Sequence, residues 1–224
     1  MKLSIIIPIL NEAQQLPLLL EQLLPLQRHG CEVIIVDGGS VDGSADIAKY
    51  AGFTVIRSSR GRASQMNAGV EYATGTVFLF LHADTQLPDG VGVLVEQALA
   101  EGNHSWGRFD VCISGRPVML RIVAHMMNWR SRLTGIATGD QAIFVSRAAF
   151  DMAGGFPNQP LMEDIELSKS LRKISRPACI ARCVTTSGRR WEKYGVWRTI
   201  FLMWYLRWRY WCGVSATELA RIYR

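Results

Sequence analysis

The chain contains no run of ~18 uninterrupted apolar residues, the length a membrane-spanning helix needs. Its most apolar helical stretch, Thr199 to Leu206, is short and bounded by Arg198 and Arg207. It also lacks a CxxC pair, and its five cysteines (Cys31, Cys112, Cys179, Cys183 and Cys212) are odd in number. This argues against a complete disulfide framework; reduced, mostly buried thiols in a cytosolic protein are the expectation. Met1-Lys2 leads straight into a strand-like run with no cleavage-site pattern, so no secretory leader is expected. Internal repeats and low-complexity segments are missing, which sets aside solenoids and long disordered regions. Acidic residues are scarce at one end only. Residues 182–224 hold nine Arg and Lys against two Glu, a net +7, whereas the first 181 residues carry 16 basic and 17 acidic groups. The formal charge of +6 therefore belongs to the C-terminal tail.

The 224 residues, 49% hydrophobic and 20% charged, suffice for one large domain or two small ones with a sizeable core. The tail carries five of the seven tryptophans: Trp191, Trp197, Trp204, Trp208 and Trp211. Arg and Trp at that density suit a membrane interface, where amphipathic rings and cations meet headgroups. Nucleic acid is the rival partner, and a core helix with a solvated basic edge is the third reading.

Leu3 to Pro8 reads as a buried β-branched strand. Leu16, Leu19, Leu20, Leu23 and Leu24 recur at helical spacing, which predicts an amphipathic helix over 13–28. Strands over Glu32–Val36 and Phe53–Arg57 follow, with helices after each, the second from Ala63 to Ala73. Phe78-Leu79-Phe80-Leu81 is then an apolar run of the kind found in strands buried on both faces. The βαβαβαβ alternation predicts an α/β fold with a parallel sheet.

That last run ends in His82-Ala83-Asp84. A carboxylate at the carboxyl end of a parallel strand lies where open α/β sheets bind ligands, and it can hold a hard cation against a diphosphate. The alternative is a turn or cap for the helix starting near Asp89. The loops after the first, second and fourth strands carry Asn11 and Glu12, Asp37 and Asp42, and Asp84, so all three polar clusters fall on one sheet edge. Three together favour a binding site over packing alone.

The segments Ile5–Glu12, Val36–Gly43, Gly61–Gly69 and Leu81–Asp84, in this order and spacing, resemble glycosyltransferase family 2. The resemblance runs over nearly the whole chain. It implies a single GT-A domain over 1–224, with a mostly parallel central sheet flanked by helices. Residues 1–100 would be the nucleotide-binding half, 101–190 the acceptor half and 191–224 a basic, Trp-rich helical tail. It places Pro8, Asn11, Glu12, Asp37, Gly38, Asp42, Arg62, Asn67, His82, Ala83 and Asp84 around a nucleotide-sugar donor, with Asp84 as the last acid of the metal-binding DxD motif. A divalent cation, Mn²⁺ or Mg²⁺, is the implied cofactor. The first acid of that motif is replaced by His82. An imidazole there can ligate a transition metal, hydrogen-bond ribose or sit neutral against its neighbours. Arg62 can offer its fork to a phosphate or remain a solvated surface group.

In the second half, Trp106–Ile113 reads as a strand and Pro117–Leu133 as a basic amphipathic helix. The apolar face of that helix (Val118, Met119, Ile122, Val123, Met126, Met127) is assigned to the core. Gly139–Val145 reads as a strand, and the resemblance implies that Gly139, Asp140 and Gln141 lie beside the sugar. Leu161–Leu167 opens a helix with Glu163, Asp164 and Glu166 in its first turn, which by itself suits the helix dipole. In the family this is the ED motif, so the resemblance implies Asp164, with Glu163, as the catalytic pair. A strand over Ala178–Thr185 precedes Thr186–Trp191, which resembles the family's basic-aromatic segment near the diphosphate; Arg189 and Arg190 would face the leaving group or, alternatively, headgroups. Helices over Val196–Cys212 and Ser215–Arg224 follow, Ser215 standing as N-cap with Glu218 three residues on.

The expected activity is metal-dependent, inverting transfer of a sugar to an acceptor hydroxyl. A nucleotidyltransferase is the alternative enzyme, but Asn11-Glu12 stands where that class wants a Gly-rich basic loop. A non-catalytic membrane-surface scaffold is the other alternative. Expected partners are a nucleotide-sugar donor and an acceptor, with a lipid-linked acceptor, a peripheral membrane contact through 191–224 and a homodimer carried as further options; nucleic acid is not among them. The expected location is cytoplasmic, with the inner membrane face as its extension.

Overall fold

The computed structural model describes residues 1–101 and 103–223. Four strands, β1 (Leu3–Ile9), β2 (Glu32–Asp37), β3 (Thr54–Arg57) and β4 (Val77–Phe80), pair in parallel in the order β3-β2-β1-β4. β1 is buried along its whole length. Its residues alternate between two cores, because successive side chains of a strand point to opposite faces. Leu3, Ile5, Ile7 and Ile9 meet Leu16, Leu19, Leu20 and Leu23 of α1 (Leu16–Arg28) on one face. Ile6 meets Met66 and Val70 of α3 (Arg62–Tyr72) on the other. Truncating a buried leucine such as Leu23 in such a layer costs about 2–5 kcal/mol. Gly69 permits the close approach of α3: a Cβ there would lie 2.4 Å from Ile6 Cγ2.

Beyond β4 the sheet continues as β7 (Phe144–Ser146), β6 (Trp106–Ser114), β8 (Ala178–Ser187) and β5 (Thr85–Gln86), in that spatial order. β7 runs antiparallel to both neighbours, while β6 and β8 are parallel with a bulge between Phe109 and Asp110. Helices α2 (Ser44–Tyr50), α4 (Val91–Ala100), α5 (Met119–Thr134), α6 (Arg147–Ala153), α7 (Glu163–Arg172), α8 (Arg189–Tyr194), α9 (Val196–Trp211) and α10 (Ala216–Tyr223) complete the fold. This is the expected α/β sheet flanked by helices.

Three expectations need correction. Gly139–Val145 is not one strand: Gly139–Gln141 forms a 3₁₀ turn, and only Phe144 and Val145 of that stretch are extended. The Gln141 side chain accepts from Thr138 N–H at 3.2 Å, and Ala142 takes a left-handed φ of 46°, which no strand can carry. The outward face of α5 is not core: Val118, Ile122, Met126, Trp129 and Leu133 form an exposed stripe, and only Leu120, Ala124 and Ser131 are buried. Asn128 instead anchors α5 to β6, donating to Val111 O at 3.0 Å and accepting from Val111 N–H at 2.8 Å. The thiols, finally, are not buried: Cys112 and Cys212 are exposed and the other three half-buried. Burial and the neighbouring Cys112 push the Cys183 thiol up to about 12.

α9 carries a matching stripe, with Trp197, Phe201, Trp204, Trp208 and Trp211 all exposed. Its other face joins α10 through Leu206 and Leu219, which pack on Met162. Tyr210 donates to Glu166 of α7 at 2.7 Å. Ser215 caps α10 as expected, accepting from Glu218 N–H at 3.3 Å, but the Glu218 carboxylate turns away to Arg209 at 3.1 Å. Arg224 lies outside the described residues. Among the described residues no helix is long and apolar enough to cross a membrane.

Candidate active site

The strand order reverses between β1 and β4, and crevices beyond the carboxyl ends of such strands bind ligands. The loops leaving β1 and β2 are stitched together there. Asn11, at a left-handed φ of 56°, donates its N–H to Ser40 Oγ and accepts from Val41 N–H, both at 2.9 Å. Asp42 accepts from Ala13 N–H at 2.9 Å and from Ser44, whose Oγ also accepts from Glu12 N–H at 2.8 Å. The bonds from Ser44 and Ala13 hold the Asp42 carboxyl below its ordinary value. Asn11 and Asp42 thus build the edge.

Asp37 lies at the end of β2 and is 1% exposed. Its Oδ1 accepts from Ser40 N–H at 2.9 Å, while its buried Oδ2 has no partner among the described residues. An orphaned carboxylate oxygen at this edge is an acceptor prepared for a ligand N–H or O–H. Pro8 lies within the buried β1, and Gly38 donates its N–H to Ile9 O at 3.0 Å. A Cβ at Gly38 would reach the Gln65 side chain at 3.0 Å. Gln65, which was not singled out in the sequence, bridges Ile9 O and Val36 O at 2.8 and 2.7 Å. Asn67 turns the other way and spends both ends of its amide on Phe156.

A cavity of about 810 Å³ opens beside this edge. Its polar end is lined by Glu12, Arg62, His82, Asp84, Asp140 and Arg189. Ala83 is buried behind them. Arg189 Nη2 stands 3.7 Å from Glu12 Oε2. Burial, reinforced by the Asp84 charge, holds the Glu12 carboxyl above its ordinary value against the pull of Arg189. His82 Nδ1 lies 3.4 Å from Asp140 Oδ1, and the Nε2 edge of its ring packs on Gly139, where a Cβ would be only 2.4 Å away. His82 therefore faces Asp140. Burial works against the Asp140 charge, but His82, Arg62 and Arg207 outweigh it and hold its carboxyl below the ordinary value.

Asp164 and Glu163 open α7 behind Asp140. Asp164 Oδ2 accepts from Gly139 N–H and Oδ1 from Ile165 N–H, both at 2.8 Å. Glu163 is buried; burial and then the Asp164 charge raise its carboxyl above the ordinary value, while Arg62 pulls it back. Around Arg62, desolvation opposes the charge, but Glu163, Tyr223, Asp140 and Asp164 outweigh it and raise the guanidinium. Arg190 reaches the same cavity, donates to Tyr223 O at 2.9 Å and lies 3.8 Å over the Tyr223 ring.

The sequence reading missed Arg130 and Arg207, on the inner sides of α5 and α9, and Tyr223. Arg130 is pulled down to about 10 by burial and by Arg207. Arg207 is likewise lowered by burial, against Asp164 and Asp140. An arginine flanked by apolar residues on a helix was the available signal. Among the described residues, no group of three or more His, Cys, Asp or Glu is arranged to hold a metal.

A mixed sheet with a carboxylate-and-arginine cavity at its switch point is an α/β architecture of GT-A type. Residues 4–151 match the sequence profile of Glycosyl transferase family 2, and the chain belongs to that family. It is 42% identical over 217 aligned residues to a PGL/p-HBAD biosynthesis glycosyltransferase of Mycobacterium tuberculosis, covering 86% of this chain and 77% of the relative. Among solved structures it resembles the mannosyltransferase PcManGT from Pyrobaculum calidifontis, in complex with GDP-Man and Mn²⁺ (TM-score 0.62, 22% identity, 82% of this chain). It also resembles S. aureus TarS 1-349 in complex with UDP (TM-score 0.67, 18% identity, 84% of this chain). The chain spans 56% and 60% of those two solved chains.

Proposed function

We propose that the chain transfers a sugar from a nucleoside-diphosphate donor to an acceptor hydroxyl, with inversion at the anomeric carbon and assistance from a divalent cation. One observation carries this reading: Asp84, Asp140, Arg62 and Arg189 face a single cavity at the β1/β4 switch point. The orphaned Asp37 Oδ2 receives a donor N–H or O–H of the base or ribose. Arg62 and Arg189 meet the diphosphate and stabilise the charge that develops as it leaves. Asp140, oriented by His82, binds a sugar hydroxyl.

The donor set fits a hard cation only in part. Asp84 offers one carboxylate to the cavity, so the cation would be held by Asp84 together with the oxygens of the diphosphate. When bound, it supplies Lewis-acid neutralisation of the leaving group.

Asp164 is the base. Each of its oxygens already accepts one backbone N–H and keeps a further lone pair. In a single in-line displacement the acceptor oxygen bonds the anomeric carbon, the carbon–diphosphate bond breaks and the hydroxyl proton passes to Asp164. A second reading gives that proton to Asp140, because Asp140 lines the cavity directly.

The test is titration with UDP and GDP, with and without Mn²⁺, followed by NMR of the product anomer formed from the matching sugar nucleotide. Metal-dependent affinity for one nucleotide and an inverted product are expected. No nucleotide binding under any condition would leave a scaffold, and a retained configuration would remove the single displacement.

A further inference from the structure

Away from the carboxylates, the cavity changes character. Its second half is walled by Ile122, Met126 and Trp129 from α5 and by Trp197, Met203 and Trp204 from α9. Five of these, Ile122, Met126, Trp129, Trp197 and Trp204, also belong to the exposed stripes of their helices, so the cleft runs from the catalytic end out to the surface. Contiguous apolar surface of this kind marks a binding site.

Neither helix contains an acidic residue: α5 carries Arg121, Arg130 and Arg132, and α9 carries Arg198, Arg207 and Arg209. Pairing this face with a second copy of itself would set like charges together. At the inner end of the cleft, Arg130 Nε and Nη2 are buried without a hydrogen-bond partner among the described residues. Arg207 lines the same cavity, and its charge lowers the Arg130 guanidinium. A desolvated Arg130 with unused donors, next to a second cation, calls for an anion, because a buried donor left unpaired is costly.

Resting on the transferase reading above, we propose that the α5/α9 cleft is the acceptor subsite and takes an anionic amphiphile, its apolar chain between Met126 and Trp204 and its anionic head on Arg130 and Arg207. The chemistry asks for an oxyanion joined to an alkyl or polyprenyl chain and carrying the hydroxyl that is glycosylated. Arg130, Arg207 and Asp140 line the same cavity as the apolar walls, so the charged head and the apolar route meet beside Asp140. A free oxyanion would satisfy the arginines and leave the cleft unfilled; a neutral alcohol would do the reverse.

The experiment follows tryptophan emission, since Trp129, Trp197 and Trp204 line the cleft, on titration with dodecyl phosphate, dodecanol and inorganic phosphate below micelle-forming concentrations. Dodecyl phosphate is expected to bind at least about tenfold tighter than either half alone, the equivalent of one charge-assisted hydrogen bond or a few buried methylenes. Arg130→Gln should weaken dodecyl phosphate about tenfold and leave dodecanol unchanged; Ile122→Asn with Met126→Asn should weaken both. UDP and GDP affinity in the same variants reports that they are folded.

Equal binding of dodecyl phosphate and dodecanol overturns the anionic head. Saturable binding to anionic vesicles with none to monomeric dodecyl phosphate overturns the subsite in favour of a membrane-surface contact. A dimer in sedimentation velocity that dissolves in the Ile122/Met126 variant overturns it in favour of a second copy. Nucleotide binding without dodecyl phosphate binding defeats this inference and leaves the transferase reading standing; the converse defeats the transferase reading and with it the acceptor role, leaving the cleft as an anionic-amphiphile site.

Discussion

The Asp164 carboxylate holds the backbone N–H of Gly139 at 2.8 Å, so the first turn of α7 sets where Asp140 presents its own carboxylate to the cavity. The proposed base and the proposed sugar ligand are thereby mechanically linked, and each can be tested against the other.

Asp164→Asn keeps an oxygen to accept from Gly139 but cannot take a proton. Transfer should fall by about 10²–10⁴-fold, the usual worth of a general base, with nucleotide affinity unchanged. Asp140→Asn should act mainly on donor KM. The same radiolabelled-sugar assay on both variants decides the base; a larger kcat loss in Asp140→Asn would move the proton there.

Glu163 supplies a pH test. Its folded pKa lies above the unfolded value, so the folded chain holds that proton more tightly than the unfolded chain does. The stability this contributes is complete below the unfolded value near ~4.3 and is lost as pH rises through the folded one. Glu163→Gln removes the charged form altogether. Its melting temperature at pH 7 should exceed that of the parent, and the gap should close on acidification. A melting temperature below the parent's at pH 7 would show that pairing with Arg62 outweighs burial.

The anchor of α5 gives a third test. Arg108 is fully buried and donates to Asp110, whose oxygens also accept from both Nη atoms of Arg132 at 2.7 Å. Burial raises the Asp110 carboxyl, but these bonds outweigh it and hold it below the ordinary value. Its contribution is therefore present above the unfolded value near ~3.9 and lost as pH falls through the folded one. Asp110→Asn should cost about 3–5 kcal/mol in urea unfolding at pH 7 by stranding Arg108, with part of the acid-side loss disappearing.

β1, β2 and β4 were legible because a parallel strand covered on both faces must be a continuous apolar run, and Ile5–Ile7 and Phe78–Leu81 are such runs. Asp37 and Asp84 were legible because such runs end abruptly in carboxylates. Ala142–Val145 carries the same apolar signal, but a side-chain bond from Gln141 back to Thr138 bent its entry into a turn, and local pattern does not report that bond. The apolar residues of α5 at helical spacing say that a face exists; they do not say whether protein covers it. Arg130 and Arg207 were illegible for the same reason, since the burial of each depends on the helix across the cleft.

The Arg190 guanidinium rests on the ring and carbonyl of Tyr223. In the order of synthesis this matters. The four parallel strands and their carboxylate edge are complete by residue 84. The wall opposite waits for α9, and the brace on Arg190 for the last turn of α10. A chain cut before α10 would keep the carboxylate edge and lose the brace on Arg190.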